Sequence, residues 1–154
     1  CQELGAPSVA PPLLAGGLAL AGSLDTFVYA FDLENGHLAW RPREGQRLAH
    51  APLPWRGLAL FVPLSGRRVS AIDAASGRPV GAIPAGAGES FAGGAALSGD
   101  TLIAVVERPP DAVLLRAFTL SENEEGATGS PQPRSDASAS SPRSAARKRS
   151  SSMR

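Results

Sequence analysis

Short apolar runs separated by glycine and polar turn residues form the main pattern along residues 12–120. Three of these runs, residues 18–22, 58–62 and 102–106, contain only apolar or small side chains. Runs of this length suit strands, since a helix usually needs ten or more residues. Turn signals such as Gly99-Asp100 interrupt the pattern. We therefore predict an all-β chain of many short strands, in which the three runs are the innermost strands of their units.

Residues 28–40 read as a strand, a tight turn and a second strand. The first part, residues 28–31, is apolar and partly aromatic, as strands often are. Asn35-Gly36 is favoured where a turn requires positive φ. Leu38 and Trp40 then alternate with period two, which is typical of a strand with one buried face.

This segment recurs 41 positions later, over residues 69–80. The matching pairs are Val28 and Val69, Ala30 and Ala71, Asp32 and Asp73, and Gly36 and Gly77. The second copy has Gly81 in the position of Trp40, and a third, weaker copy ends at residues 115–120, with Thr119 in place of the aspartate. A repeat of this period indicates stacked structural units.

The pattern Ala30-x-Asp32-x-x-x-Gly36-x-x-x-Trp40 resembles the repeat motif of PQQ-type β-propellers, the quinoprotein-like family. In that family each blade is a four-stranded sheet, the tryptophan packs between blades, and the aspartate and glycine shape the turn. The resemblance implies about three four-stranded blade-like units over residues 12–120. It also implies structural roles for the motif residues, which are Ala30, Asp32, Gly36 and Trp40 in the first copy and Ala71, Asp73 and Gly77 in the second.

The two ends of the chain differ from the repeats. Residues 1–11 are predicted to be a lead-in to the first unit or the remnant of a preceding blade. Residues 121–154 contain ten serines, no aromatic residue and one large apolar side chain, Met153. This composition predicts a disordered Ser/Arg-rich tail. The net charge of the whole chain is +1. The repeat region itself is nearly neutral, which argues against a nucleic-acid-binding face.

The sequence contains no clear catalytic, cofactor or metal motif. His37 and His50 are the only histidines and have no cysteine nearby, which disfavours a zinc site. The glycine-rich residues 85–90 lack the Lys-Ser/Thr of a P-loop. We predict that they and Gly93-Gly94 are loops between blades. No cofactor is expected, and Asp32, Asp73 and Trp40 are interpreted as structural residues rather than catalytic or ligand-binding ones.

Cys1 is the only cysteine, so the chain cannot form an internal disulfide. A mature bacterial lipoprotein begins with a lipidated cysteine, and some propellers of the resembled family are envelope lipoproteins. A lipid anchor at Cys1 is therefore one expectation, and a fragment with an arbitrary start is the alternative. No apolar run reaches the roughly 18 residues that span a membrane.

Because complete propellers typically have four to eight blades, the chain is expected to be part of a larger propeller or to complete its ring with another chain. The resemblance implies a non-catalytic binding or scaffold module of the bacterial cell envelope, like lipoproteins of the BamB type. Its expected partners are another protein or the remaining blades.

The sequence leaves two alternative functions open. One is a fragment of a PQQ-dependent quinoprotein dehydrogenase. Enzymes of that kind bind PQQ and Ca²⁺ at the hub of a full ring, many with a disulfide of adjacent cysteines, which this chain cannot supply. No set of carboxylates and amides for Ca²⁺ is evident. The other is a nucleic-acid-binding protein with a basic tail at Arg147-Lys148-Arg149. The neutral repeat region disfavours it, and no nucleic acid is expected.

Overall fold

A computed structural model describes residues 3–121 and 127–128, and these residues form twelve β-strands and no helix. The first sheet is antiparallel and has four strands in the order of the sequence. Its strands are β1 (Leu13–Ala15), β2 (Leu18–Gly22), β3 (Val28–Asp32) and β4 (Leu38–Trp40).

The second sheet repeats this arrangement with β5 (Leu53–Trp55), β6 (Leu58–Phe61), β7 (Arg68–Asp73) and β8 (Pro79–Pro84). A fifth strand, β12 (Ala127–Thr128), pairs in parallel with β8 at Gly81 and Ala82. The third sheet consists of β9 (Ser90–Ser98), β10 (Thr101–Arg108) and β11 (Ala112–Thr119), with β10 in the middle.

The prediction of an all-β partial propeller is confirmed. Each of the first two sheets contains four antiparallel strands. The third sheet has three strands within the described part of the chain. Apart from Ser121 and the two residues of β12, the predicted disordered tail, residues 121–154, lies outside the described residues.

Strand register shows that the three repeat copies are equivalent. Asp32 pairs with Leu18 in the first sheet, Asp73 with Leu58 in the second, and Thr119 with Thr101 in the third. In each copy, the residue that follows Asp32, Asp73 or Thr119 donates its backbone N–H to the turn between the first two strands of its sheet. These bonds are Leu33 to Gly17 at 2.9 Å, Ala74 to Gly57 at 3.1 Å and Leu120 to Asp100 at 2.7 Å.

The prediction that residues 18–22, 58–62 and 102–106 form the innermost strands is wrong. They belong to β2, β6 and β10, which are the second strands of their sheets. The two-residue turns Gly16-Gly17 and Arg56-Gly57 have positive φ at both positions and fold β1 and β5 back as the first strands. These first strands contact each other. Burial of a strand's side chains depends on what covers the two faces of its sheet, and both faces are covered around β6.

Alternate residues of the second sheet supply two hydrophobic clusters, one on each of its faces. Ala59 and Phe61 pack in the cluster shared with the first sheet, and Leu60 and Val62 in the cluster shared with the third. This two-residue period follows from the strand pleat. The sheets are therefore stacked face to face, with the second sheet covered on both faces.

Gly93 and Gly94 lie inside β9 and not in the predicted inter-blade loop. They sit opposite an irregularity between Ala104 and Val106, where β9 has extra residues relative to β10. A Cβ atom on Gly93 would lie 3.1 Å from Cβ of Val105, so close backbone approach favours glycine there. The loop prediction does hold for residues 85–89, which connect β8 to β9.

Candidate functional site

The first repeat turn is held by the carboxylate of Asp32. Its Oδ1 accepts the backbone N–H groups of Glu34 at 2.8 Å and Asn35 at 3.2 Å. Gly36 adopts φ of 73° and donates its N–H to the carbonyl of Asp32 at 2.8 Å. An aspartate that caps its own turn in this way needs no catalytic role to explain its position.

The second repeat turn has the same construction. Oδ1 of Asp73 accepts the backbone N–H of Ser76 at 2.8 Å and its hydroxyl at 2.6 Å. These bonds, the hydroxyl's first, lower the pKa of Asp73. Gly77 adopts φ of 72° and donates its N–H to the carbonyl of Asp73 at 2.9 Å.

Trp40 connects the first sheet to the second repeat turn. Its indole N–H donates to the carbonyl of Ala75 at 3.1 Å. Its half-buried ring packs against the cluster shared by the first two sheets and covers the backbone of Gly77. Trp40 also pairs with the fully buried Ala30, and the corresponding partner of the buried Ala71 is Gly81. Trp40 thus contacts the neighbouring sheet.

A second tryptophan bridges the second and third sheets, and the sequence analysis missed this contact. The buried Trp55 donates its indole N–H to Oδ1 of Asp100 at 2.9 Å. Arg56 pairs with Oδ2 of Asp100 at 2.7 Å. The hydrogen bond from Trp55 is the main cause of the lowered pKa of Asp100. Trp55 and Asp100 lie at the first hairpin turns of two successive units. This equivalent position in the repeat is the sequence feature that could have predicted their contact.

Glu89, in the connection to the third sheet, is a buried carboxylate with two arginine partners. Its side chain is 1% exposed. It accepts hydrogen bonds from Arg116, through Nε at 3.2 Å and a terminal nitrogen at 2.5 Å, and from Arg108 at 2.5 Å. These partners, Arg116 first, lower the pKa of Glu89, and Glu89 in turn raises the pKa of Arg116.

Glu44 occupies a comparable place in the connection between the first and second sheets. The buried Glu44 accepts the hydroxyl of Ser70 at 2.7 Å and lies 3.6 Å from a terminal nitrogen of Arg68. Ser70 and Arg116 occupy equivalent positions, three residues before Asp73 and Thr119. Each connection is thus anchored by a buried glutamate to the third strand of the sheet that follows it. No sequence pattern around Glu44 or Glu89 predicts this role.

An open groove lies beside this anchor. It has a volume of about 1050 Å³ and runs between the connection at residues 44–47, the turn at residues 64–68 and the end of β8. Its exposed charged side chains include Arg47 and Arg67.

The two histidines lie apart from these features. His37 is exposed, and its backbone N–H donates to the side chain of Asn35 at 2.8 Å. His50 lies near Gly94, and its buried Nε2 has no hydrogen-bond partner among the residues that the structure describes. Among residues 3–121, no three His, Cys, Asp or Glu side chains are grouped as metal ligands would be.

The described residues include no helix long and apolar enough to cross a membrane. Cys1 and the basic tail cluster lie outside them.

Comparison with known proteins gives matches in structure only. No protein-family profile matches the chain, and no curated protein matches it in sequence. Among solved structures, BamB from Moraxella catarrhalis matches 79% of the chain with a TM-score of 0.59 and 21% identity. A europium-containing methanol dehydrogenase matches 75% with a TM-score of 0.60 and 18% identity. The computationally designed Ika4 protein matches 84% with a TM-score of 0.55 and 10% identity.

The chain spans only 24% of the methanol dehydrogenase and 38% of BamB, but 78% of Ika4. At these identities the likeness concerns the fold and not the activity. The natural neighbours include both a BamB protein and dehydrogenases, so they do not distinguish a scaffold from an enzyme. The described part of the chain has the fold of a partial β-propeller, similar to the solved structures of BamB and the methanol dehydrogenase.

Proposed function

We propose that this chain is a non-catalytic propeller-repeat module that binds protein through the outer side of its third sheet. The occupant is a further sheet of the same repeat, either from the rest of its own propeller or from a partner chain. The observation that carries this proposal is the apolar character of that outer side. Val113 is 72% exposed, Leu115 is 75% exposed and Ile103 is 39% exposed.

These side chains share one face of the third sheet. On β11, Leu114 and Phe118 point into the cluster shared with the second sheet, so the alternate residues Val113 and Leu115 point away from it. Leu115 pairs with Val105 on β10, which extends the apolar surface across both strands. Exposed apolar surface of this kind marks an interaction site.

The edge of the sheet supports the same interpretation. β11 is eight residues long and has no strand on its outer side within the described part of the chain. Unpaired backbone groups along such an edge are available to another strand. The second sheet provides an internal precedent for a further stacked sheet, because both of its faces are covered in this way.

A fragment of a PQQ-dependent dehydrogenase is the second candidate, supported by the likeness to dehydrogenase folds. The buried polar side chains of the described residues are not arranged as a Ca²⁺ site. The buried polar residues of the described part are Ser23, Glu44, Ser70 and Glu89. Each of them is hydrogen-bonded to protein atoms. Ca²⁺ requires several free oxygen ligands that converge on one point.

Sedimentation velocity on the full chain tests the proposal. We expect mass above that of the 15.8 kDa monomer, because one chain can cover the open face of another. The variant Val113→Asp/Leu115→Asp should be monomeric at the same concentration. The control is Leu33→Asp, at a side chain that is 54% exposed in a turn of the first sheet. If Val113→Asp/Leu115→Asp associates as strongly as Leu33→Asp, the outer side of the third sheet is not the binding surface.

A location in the cell envelope, with a lipid anchor at Cys1, belongs to the same proposal and rests on the resemblance to BamB-type lipoproteins. Fractionation of cells that express the full reading frame, with mass spectrometry of the peptide containing Cys1, tests it. An unmodified peptide in the cytoplasmic fraction would rule out both the anchor and the location.

A further inference from the structure

The groove beside Glu44 has a local excess of positive charge. Arg47 and Arg67 are exposed, and neither pairs with an acidic side chain among the residues that the structure describes. Arg68 is about half exposed and lies 3.6 Å from the buried carboxylate of Glu44. Glu44 thus offsets one of the three arginines, and two positive charges are unbalanced. Because the repeat region as a whole is nearly neutral, this charge is a feature of the groove.

The walls of the groove are held together by hydrogen bonds. Leu64 donates its backbone N–H to the carbonyl of Arg47 at 2.8 Å, which joins the turn to the connection. Gln46 donates its side-chain amide to the carbonyl of Arg68 at 3.2 Å. Gly66 and Phe91 exchange backbone hydrogen bonds at 3.1 and 2.6 Å, which tie the turn to the third sheet. A groove built in this way is ordered before a ligand arrives, which lowers the entropy cost of binding.

The groove also has an apolar wall. Leu64 is 43% exposed at its side, and Pro84 and Ala85 line its end. Its volume of about 1050 Å³ is far larger than a single carboxylate requires. Arginine binds carboxylates through a planar fork of N–H groups. We propose that this groove binds an acidic, extended peptide segment with at least two carboxylates and a neighbouring apolar side chain.

Two observations favour a peptide over a nucleic acid. Among the described residues that line the groove there is no aromatic ring, so these residues give bases no stacking platform. Binding to nucleic acids is driven by the counterions that are released when basic side chains neutralise phosphates. The groove has only two unbalanced positive charges and the rest of the repeat region is nearly neutral, so this contribution would be small. The inference does not depend on the proposed function, because the groove and the Val113–Leu115 surface are different parts of the molecule.

Fluorescence anisotropy with a labelled eight-residue peptide of alternating glutamate and leucine tests the inference. We expect saturable binding to the full chain that weakens as salt rises from 0.05 to 0.5 M, on the order of tenfold. A peptide with glutamine in place of glutamate should bind at least about tenfold more weakly, as expected for loss of charge-assisted bonds. The variant Arg47→Glu/Arg67→Glu should lose binding, whereas Arg78→Glu, at an exposed arginine outside the groove, should retain it.

Two further measurements keep the test decisive. If the charge-reversed variant unfolds at a lower temperature than the parent chain, Arg47→Gln/Arg67→Gln replaces it and should also lose binding. Val113→Asp/Leu115→Asp should bind the peptide normally, which separates this inference from the proposed function. Absence of peptide binding at millimolar concentration, or equally tight binding of a single-stranded oligonucleotide, would overturn the inference.

Discussion

The ring of Trp40 covers the backbone of Gly77, the turn glycine of the next repeat. A Cβ atom built on Gly77 would lie 2.5 Å from Cδ2 of that ring, closer than real Cβ contacts allow. The glycine of one repeat therefore makes room for the tryptophan of the preceding one. This explains in physical terms why the two residue types occur in the same motif.

The first prediction compares Gly77→Ala with Gly36→Ala. The two glycines have nearly equal φ, 72° and 73°, but a Cβ atom on Gly36 would meet nothing within 4 Å. Gly36→Ala should cost about 1 kcal/mol of unfolding free energy from positive φ alone. Gly77→Ala should cost about 1–3 kcal/mol more, because the ring of Trp40 must move. Urea unfolding measures both, and equal losses would show that the contact with Trp40 contributes nothing.

The second prediction concerns the size of the contribution from Trp40. Since its ring is half-buried, Trp40→Ala should lower the free energy of unfolding by about 2–3 kcal/mol, less than the 3–5 typical of a fully buried aromatic residue. In the Trp40→Ala background, Gly77→Ala should cost only as much as Gly36→Ala. A double-mutant cycle gives this coupling. Additive losses would contradict a direct contact.

The third prediction is that Glu89 makes stability depend on pH. Because the folded-state pKa of Glu89 is lowered, its contribution is present above the unfolded value of about 4.3 and is lost as pH falls through the folded value. Glu89→Gln should cost about 1–3 kcal/mol at pH 7, because Arg108 and Arg116 lose charge-assisted hydrogen bonds but are 49% and 39% exposed and stay partly solvated.

Urea unfolding of the parent chain and of Glu89→Gln, at several values between pH 7 and pH 3, measures this effect. The difference in unfolding free energy between the two proteins should shrink as the solution is acidified below about pH 4.3. Glu107→Gln is the control, because its carboxylate is exposed and hydrogen-bonded only to Ser90 within the described contacts. A difference that stays constant with pH would contradict the assigned role of Glu89.

The fourth prediction tests the bridge between Trp55 and Asp100. Trp55→Phe keeps an aromatic ring in the cluster but removes the N–H that donates to Asp100. The pKa of Asp100 should therefore rise towards its ordinary value, since that hydrogen bond is the main cause of its lowering. Carbon-detected NMR titration of the carboxylate measures it. An unchanged pKa would show that Arg56 alone determines the titration.

What could be predicted from the sequence is the part set by local patterns. The spacing of Asp32 and Gly36, repeated at Asp73 and Gly77, was enough to identify the stacked units. The contacts that join the sheets could not be predicted in the same way. Trp55 and Asp100 are 45 residues apart, and Glu89 and Arg116 are 27 apart. Their proximity depends on how the sheets stack, which periodicity within a strand does not report.

Strand order shows the same limit. Residues 13–15 and 53–55 are too short to stand out as strands, so the sequence pattern predicts the innermost positions for the stronger apolar runs beside them. Their pairing depends on turns with positive φ, including Arg56, a residue type that seldom adopts it. The loop predicted at Gly93 and Gly94 is wrong for a related reason, because glycines in a bulged strand and in a loop look alike in sequence.

The central claim is that the outer side of the third sheet binds another sheet. Hydrogen–deuterium exchange of residues 112–119, measured over a hundredfold range of concentration, tests it most directly. We predict that amide protection in β11 increases with concentration in the parent chain and stays low in Val113→Asp/Leu115→Asp. Equal exchange of β11 at every concentration, in a chain that sedimentation shows to be associating, would contradict the claim.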